Sequence, residues 1–295
     1  MGNGAQAKSV QPKEELRNFF TGLGRGAAGA LLFAVPMLMT MEFWALGDYI
    51  DRGRLLVMLL TNMPLLLILA HMIGFERTFT WRQALRDAII AFGLGIVISA
   101  LTLVIFGILK PDTTLSSIIG RVAIQSVPAS IGAMLGRSQL GGRGEGEENS
   151  NGDGEDDEVV PDRLSPSFAR ELFLMGVGAL FLNLNVAPTE EVILISYKMT
   201  PWHAFVAIII SISIMHAFVY AVSFRGAHQI PDGEPHWHSF FRFTLPGYLI
   251  AMLISLYVLW IFGRLDDTAT TQILMSAIVL SVPGAIGAAS ARLIL

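Results

Sequence analysis

Cysteine is absent from all 295 residues. Disulfides, cysteine-based zinc sites and thiol nucleophiles are therefore excluded. Charge is also scarce: 15% of the chain is Asp, Glu, Lys or Arg, against 53% hydrophobic residues, and the mean hydropathy is +0.58. Soluble domains average about 25% charged residues, so a water-facing surface is hard to build from this composition. Other chemistries are missing as well. No G-x-S-x-G, H-E-x-x-H or kinase signature occurs. The glycine-rich stretch Gly22–Gly29 lacks the Lys-Ser/Thr of a phosphate loop and reads as close helix packing. No basic stripe interleaved with aromatics points to nucleic acid. The expectation is a protein that is not an enzyme, with no cofactor and no resident metal. No A-x-A-like cleavage site follows the first apolar run, so no removable signal peptide is expected. Gln6 stands where a myristoylation pattern needs Ser or Thr.

What the chain has in abundance is uninterrupted apolar sequence. Runs of about 20 apolar residues match the thickness of a bilayer core. Eight such spans are read, at roughly 26–46, 55–75, 88–109, 114–136, 170–196, 203–224, 243–263 and 268–291. The fold class expected is all-α, a polytopic helical membrane protein. Lys and Arg accumulate on the cytoplasmic side of short loops. With the N-terminus inside, the inner segments and span edges carry 14 of them and the outer segments five, with Arg121 inside a span. Both termini are thus expected in the cytoplasm, with the chain in the inner membrane of a prokaryote.

One segment differs sharply from the rest. Glu145–Glu158 holds eight acids and no base, so the net charge of −4 belongs to it. The residues around it include almost no large apolar side chains, and 138–167 reads as a disordered cytoplasmic linker. Asn149–Gly154, "NSNGDG", resembles the start of a calcium loop, but Val160 stands where that loop needs Glu. A second polar loop holds His228, Asp232, Glu234, His236 and His238 around Trp237. It reads as a polar loop with an interfacial tryptophan rather than a metal site.

The chain also repeats itself. "SVPASIGAMLGR" at 126–137 returns as "SVPGAIGAASAR" at 281–292, identical at seven of twelve positions. Asp112-Thr113 returns as Asp267-Thr268, Ile105–Gly107 as Ile261–Gly263, and Gly29–Leu31 as Gly178–Leu180. The organisation expected is a polar tail (1–16), a four-helix repeat (17–137), the acidic linker (138–167) and a second four-helix repeat (168–295). An even number of spans gives both copies the same orientation, so a pseudo-twofold axis along the membrane normal is expected. Gly132 and Gly136, and Gly287 and Ala291, have the small-xxx-small spacing that lets helices approach closely, expected here near that axis.

Ionisable groups inside a bilayer are costly and mark function. Glu42, and Glu190 with Glu191, fall in the outer half of the first span of each repeat, in register with each other. Pro36 and Pro188 precede them and free backbone carbonyls. Carbonyls, carboxylates and the hydroxyls of Thr40 and Thr189, with Asn185 adding polarity, suit a small cation or a proton. Arg121 is expected to pair with Glu42 or Glu190, or to snorkel outward. His71 and His216 are candidate relay groups, against the plainer reading that each hydrogen-bonds a neighbour.

The twice-written motif and the acid pair resemble an uncharacterised group of prokaryotic integral membrane proteins, which implies a membrane address and no particular activity. "NVAPTEEV" also resembles the Asn-Ala-x-Glu signature of cation/proton exchangers, but that fold uses inverted repeats and does not fit this topology. The expected function is a cation channel or transporter, proton-linked in one version, with the lipid bilayer and a small cation or proton as partners. Self-association into a homo-oligomer is compatible with it. The alternative is a membrane scaffold or signalling protein that recruits a partner through the acidic linker.

Overall fold

The structure, a computed structural model, describes residues 12–73, 80–139, 168–223 and 240–294. The N-terminal tail through residue 11, nearly all of the acidic linker with its calcium-like stretch, and the histidine-bearing loop lie outside the described residues. Every regular element among the described residues is helical. They are α1 (Pro12–Leu38), α2 (Met41–Tyr49), α3 (Arg52–Ile73), α4 (Trp81–Ile105), α5 (Leu115–Gln139), α6 (Phe168–Val186), α7 (Glu190–Lys198) and α8 (Pro201–Ser223). A π-helical turn, Phe240–Thr244, then leads into α9 (Leu245–Ile261), and α10 (Thr270–Ile294) follows.

Among the described residues, eight helices are long and apolar enough to cross a membrane, so the chain is an all-α polytopic membrane protein. A helix satisfies its own backbone polar groups, which is what lets it cross a bilayer. The spans Leu115–Gly136 and Thr270–Ala291, in the helices that carry the repeated motif, are the most buried, at 72% and 56%. Their small residues explain it. A Cβ on Gly29 of α1 would lie 2.6 Å from Gly136 Cα of α5 and collide with the Gly132 carbonyl. A Cβ on Gly178 of α6 would lie 2.7 Å from Ala291 Cβ of α10 and collide with the Gly287 carbonyl. The motif therefore seats the first helix of its own half. The close packing expected of these residues is observed, and Gly29 and Gly178 supply the small residues on the other side.

The described residues cluster into two compact units. One draws on the described residues within 1–35, 62–110 and 125–152; the other on those within 36–61, 111–124 and 153–295. In the first, Asn62 donates to Ser130 Oγ at 2.9 Å, Gln125 donates to the Ala34 carbonyl at 2.7 Å, and Gly95 lets α4 lie against Ser126 and Ser130. In the second, alanine-rich surfaces of α6, α9 and α10 pack around Met175, Met215 and Tyr248. Asn183 is buried there and donates to Ser255 Oγ at 2.9 Å.

The recurring "IFG" has the same conformation in both places. Gly107 and Gly263 adopt φ of +69° and +70° just past α4 and α9. Gly107 and Ile108 donate back to Val104 and Leu103, and Gly263 and Arg264 to Trp260 and Leu259. This is the left-handed glycine cap that satisfies the last carbonyls of a helix, and a side chain at that φ would be strained.

Candidate functional site

The first span of each half is not one continuous helix. α1 stops at Leu38 and α2 begins at Met41; α6 stops at Val186 and α7 begins at Glu190. Spans 26–46 and 170–196, read as unbroken from their apolar character, are therefore corrected to elbows. Pro188 explains the second: its ring removes an amide donor and disfavours helix in the residue before it. Pro36 removes a donor near the end of α1. The two elbows share a hydrogen bond in matching register, Thr40 N–H to the Met37 carbonyl at 3.2 Å and Thr189 N–H to the Val186 carbonyl at 3.1 Å. Both threonines are extended at the N-cap of the short helix that follows.

The candidate acids stand in the first turn of those short helices. A helix N-terminus carries partial positive charge, so carboxylates there are stabilised by the dipole. Glu190 and Glu191 are exposed and Glu42 is half-buried. The hydropathy-defined spans end at Leu38 and Val186, so these acids fall just beyond the apolar helices rather than inside them. Thr40, Thr189 and Asn185 are half-buried beside the breaks, and the Thr189 hydroxyl donates to the Val186 carbonyl at 2.8 Å.

Arg121 meets Asp48, where Glu42 or Glu190 was expected. Its guanidinium forms a two-pronged pair with Asp48 of α2, at 2.9 and 2.7 Å, and lies over the Trp44 ring at 5.2 Å. The paired hydrogen bonds from Arg121 hold the Asp48 carboxyl below its ordinary pKa, against the opposing effect of burial. Geometry dictates the choice of partner. A Cβ on Gly47 would lie 2.5 Å from Arg121 N, so the end of α2 rests on α5 and carries Asp48 to the arginine, while Glu42 stands at the opposite end of the short helix.

The second elbow is closed differently. Ser196 of α7 receives hydrogen bonds from Gln272 at 2.6 Å and Ser276 at 3.0 Å, both on α10. Ser276 is the counterpart of Arg121 in the repeat register, and Ser196 that of Gly47. The carbonyl of Pro188 itself accepts a hydrogen bond from the Arg264 guanidinium. Arg264 directly follows the Gly263 cap, where the first half has Ile108.

Further ionic contacts surround these elbows. Arg54 pairs with Asp266 through both oxygens, at 2.8 and 2.6 Å, and lies over Trp260. Its hydrogen bonds hold the Asp266 carboxyl below its ordinary pKa. Arg52 donates to Ser116 Oγ at 2.8 Å and to the Gly47 carbonyl at 3.1 Å. Asp48 and Asp266 were invisible as partners in the sequence, because their arginines stand 73 and 212 residues away. The candidate relay histidines have local contacts. His71 is exposed and stacks on Trp81 with centroids 4.5 Å apart. His216 is half-buried, with Nδ1 3.0 Å from Thr244 Oγ1.

The sequence profile of the family described as "Putative integral membrane protein (DUF2391)" matches residues 22–295. The chain belongs to this family. The matched region contains both elbows and every contact described around them. No curated protein and no solved structure matches the chain. The family's description gives a membrane address.

Proposed function

We propose that this member of the DUF2391 family is a cation channel or transporter, proton-linked and without enzymatic activity, in the inner membrane of a prokaryote. Both termini would face the cytoplasm, as the distribution of Lys and Arg favours. The observation that carries the reading is the pair of elbows. Each ends an apolar helix and opens a short helix whose first turn holds Glu42, or Glu190 and Glu191. Interrupted membrane helices with polar groups at the break are a recurrent way to build ion sites in transporters. Rings of acidic side chains at a pore mouth raise the local cation concentration. In this reading the glutamates gather the cation and Thr40, Thr189 and Asn185 offer neutral oxygens to it. The even number of spans in each half favours the same orientation for both.

The test is flux through the purified full chain in liposomes, with alkali cations and protons as probes. Glu42→Gln or Glu191→Gln should abolish a cation or pH-driven flux that deletion of Glu145–Glu158 leaves intact. Flux that survives both substitutions, or that is lost with the linker alone, would overturn the proposal.

A further inference from the structure

The start of α4, in the first unit, is held in place by its cap. The Thr80 N–H donates to Gln83 Oε1 at 3.0 Å, the return bond of a capping box. Trp81 follows, exposed and stacked on His71. Tryptophan gathers at the boundary between membrane and water, so Trp81 marks the depth of this turn. From there one stripe of the helix faces outward. Arg82, Leu85, Arg86, Ile89, Gly93 and Val97 are all exposed, at the spacing of a single helix face. Ala84, Asp87, Ala88 and Ala91 are buried on the opposite face.

Two arginines therefore share the face that the apolar residues of α4 turn to the bilayer. One helical turn separates them, about 5–6 Å between Cβ atoms, so both can reach a single phosphate. Guanidinium groups bind phosphate through paired, charge-assisted hydrogen bonds. Arg86 Nε stands 3.7 Å from Asp87 Oδ1, beyond hydrogen-bond reach, and its side chain is 69% exposed. Further along the stripe, a Cβ on Gly93 would meet nothing within 4 Å, which leaves a shallow dent between Ile89 and Val97. At a rise of about 1.5 Å per residue, Val97 lies about 16 Å beyond Arg86. That is close to half of a hydrocarbon core about 30 Å thick, the reach of one acyl chain.

We propose that the exposed face of α4 seats one anionic phospholipid, with its phosphate between Arg82 and Arg86 and an acyl chain along Ile89, Gly93 and Val97. Charge selects the headgroup. A zwitterionic lipid brings its own cation to the phosphate, whereas phosphatidylglycerol presents the phosphate with none. In the repeat register set by Ile105–Gly107 and Ile261–Gly263, Arg242 is the counterpart of Arg86. Its guanidinium lies over the Phe243 ring at 5.6 Å, so it serves as a built-in comparison. The site is separate from the glutamates of the elbows and does not depend on their role.

The test titrates the delipidated full chain in detergent with phosphatidylglycerol, phosphatidylcholine or inorganic phosphate, and counts bound lipid by native mass spectrometry. The first phosphatidylglycerol should bind more tightly than phosphatidylcholine, and inorganic phosphate should not displace it. Arg82→Gln combined with Arg86→Gln should weaken phosphatidylglycerol about 30-fold, from the usual contribution of two basic residues at an anionic surface. Lysine at both positions should restore most of the affinity. Gly93→Leu, which fills the dent, should weaken the same lipid without a change of charge. Equal binding of the two lipids, or an unchanged affinity in the double glutamine variant, overturns the proposal. So does displacement by inorganic phosphate, or a loss in Arg242→Gln as large as that of the double variant, which would reduce the effect to general surface charge. The preference between lipids is read on the unsubstituted chain, so a variant that fails to fold does not obscure it. Selective binding in a chain whose flux ignores Glu42→Gln would sink the elbow reading and leave this one standing.

Discussion

The α1–α2 and α6–α7 elbows bend the chain at matching positions and fasten it by different means. In the first, Gly47 brings backbone against backbone and the Asp48–Arg121 pair closes the contact. In the second, Ser196, Gln272 and Ser276 close it with neutral hydrogen bonds, and Arg264 caps the Pro188 carbonyl. Equivalent backbone geometry has thus been fixed once by charge and once by hydroxyl and amide groups. The difference teaches which features of an elbow are structural: the break, the extended threonine and the docking of the short helix are shared, whereas the ion pair is not.

The comparison can be broken most strongly at Gly47. Replacement by Leu forces α2 away from α5 and should cost about 3 kcal/mol, read as a lowered unfolding midpoint in detergent by tryptophan fluorescence. Arg121→Ala leaves Asp48 without its two-pronged donor and should cost about 2 kcal/mol. The matching change in the second elbow, Ser276→Ala, removes one neutral hydrogen bond and should cost about 1 kcal/mol or less. If Ser276→Ala proves as damaging as Arg121→Ala, the distinction between a charged and a neutral clamp fails. Arg54→Ala breaks a pair whose carboxylate is 53% exposed, and its effect should stay below about 1 kcal/mol and shrink with salt.

Acid sharpens the same contrast. Asp48 has a folded pKa below its ordinary value of 3.8, so its stabilising contribution is fully present above that value. It is lost as pH falls through the lower, folded one. Asp48→Asn should therefore flatten part of the stability loss in that acid range, as measured by the unfolding midpoint against pH. Ser196→Ala should leave the slope unchanged, because its clamp does not titrate.

Much of the architecture was legible because a bilayer leaves few options. Eight apolar runs, bounded by Arg, Trp and Pro, read as eight helices, and the glycines of the repeated motif read as close-packing positions. Their partner helix was not legible, since spacing shows that a helix face is small but not which helix meets it. The elbows escaped notice because apolar residues such as Met41, Phe43 and Leu46 continue past the break, so hydropathy runs on where the backbone turns. Asp48 and Asp266 escaped because a pairing across tens or hundreds of residues leaves no local trace. Asp87 sits immediately before the apolar run that begins at Ala88, and its burial depends on glycines of a helix that is distant in sequence.

Arg264 has one more consequence. A guanidinium tethered to the Pro188 carbonyl is a counter-ion that cannot diffuse away, be exchanged or be diluted. That tie joins the turn after α9 to the bend between α6 and α7, so the bend cannot straighten without breaking it. At the corresponding position of the first half stands Ile108, whose side chain offers no donor for such a tie.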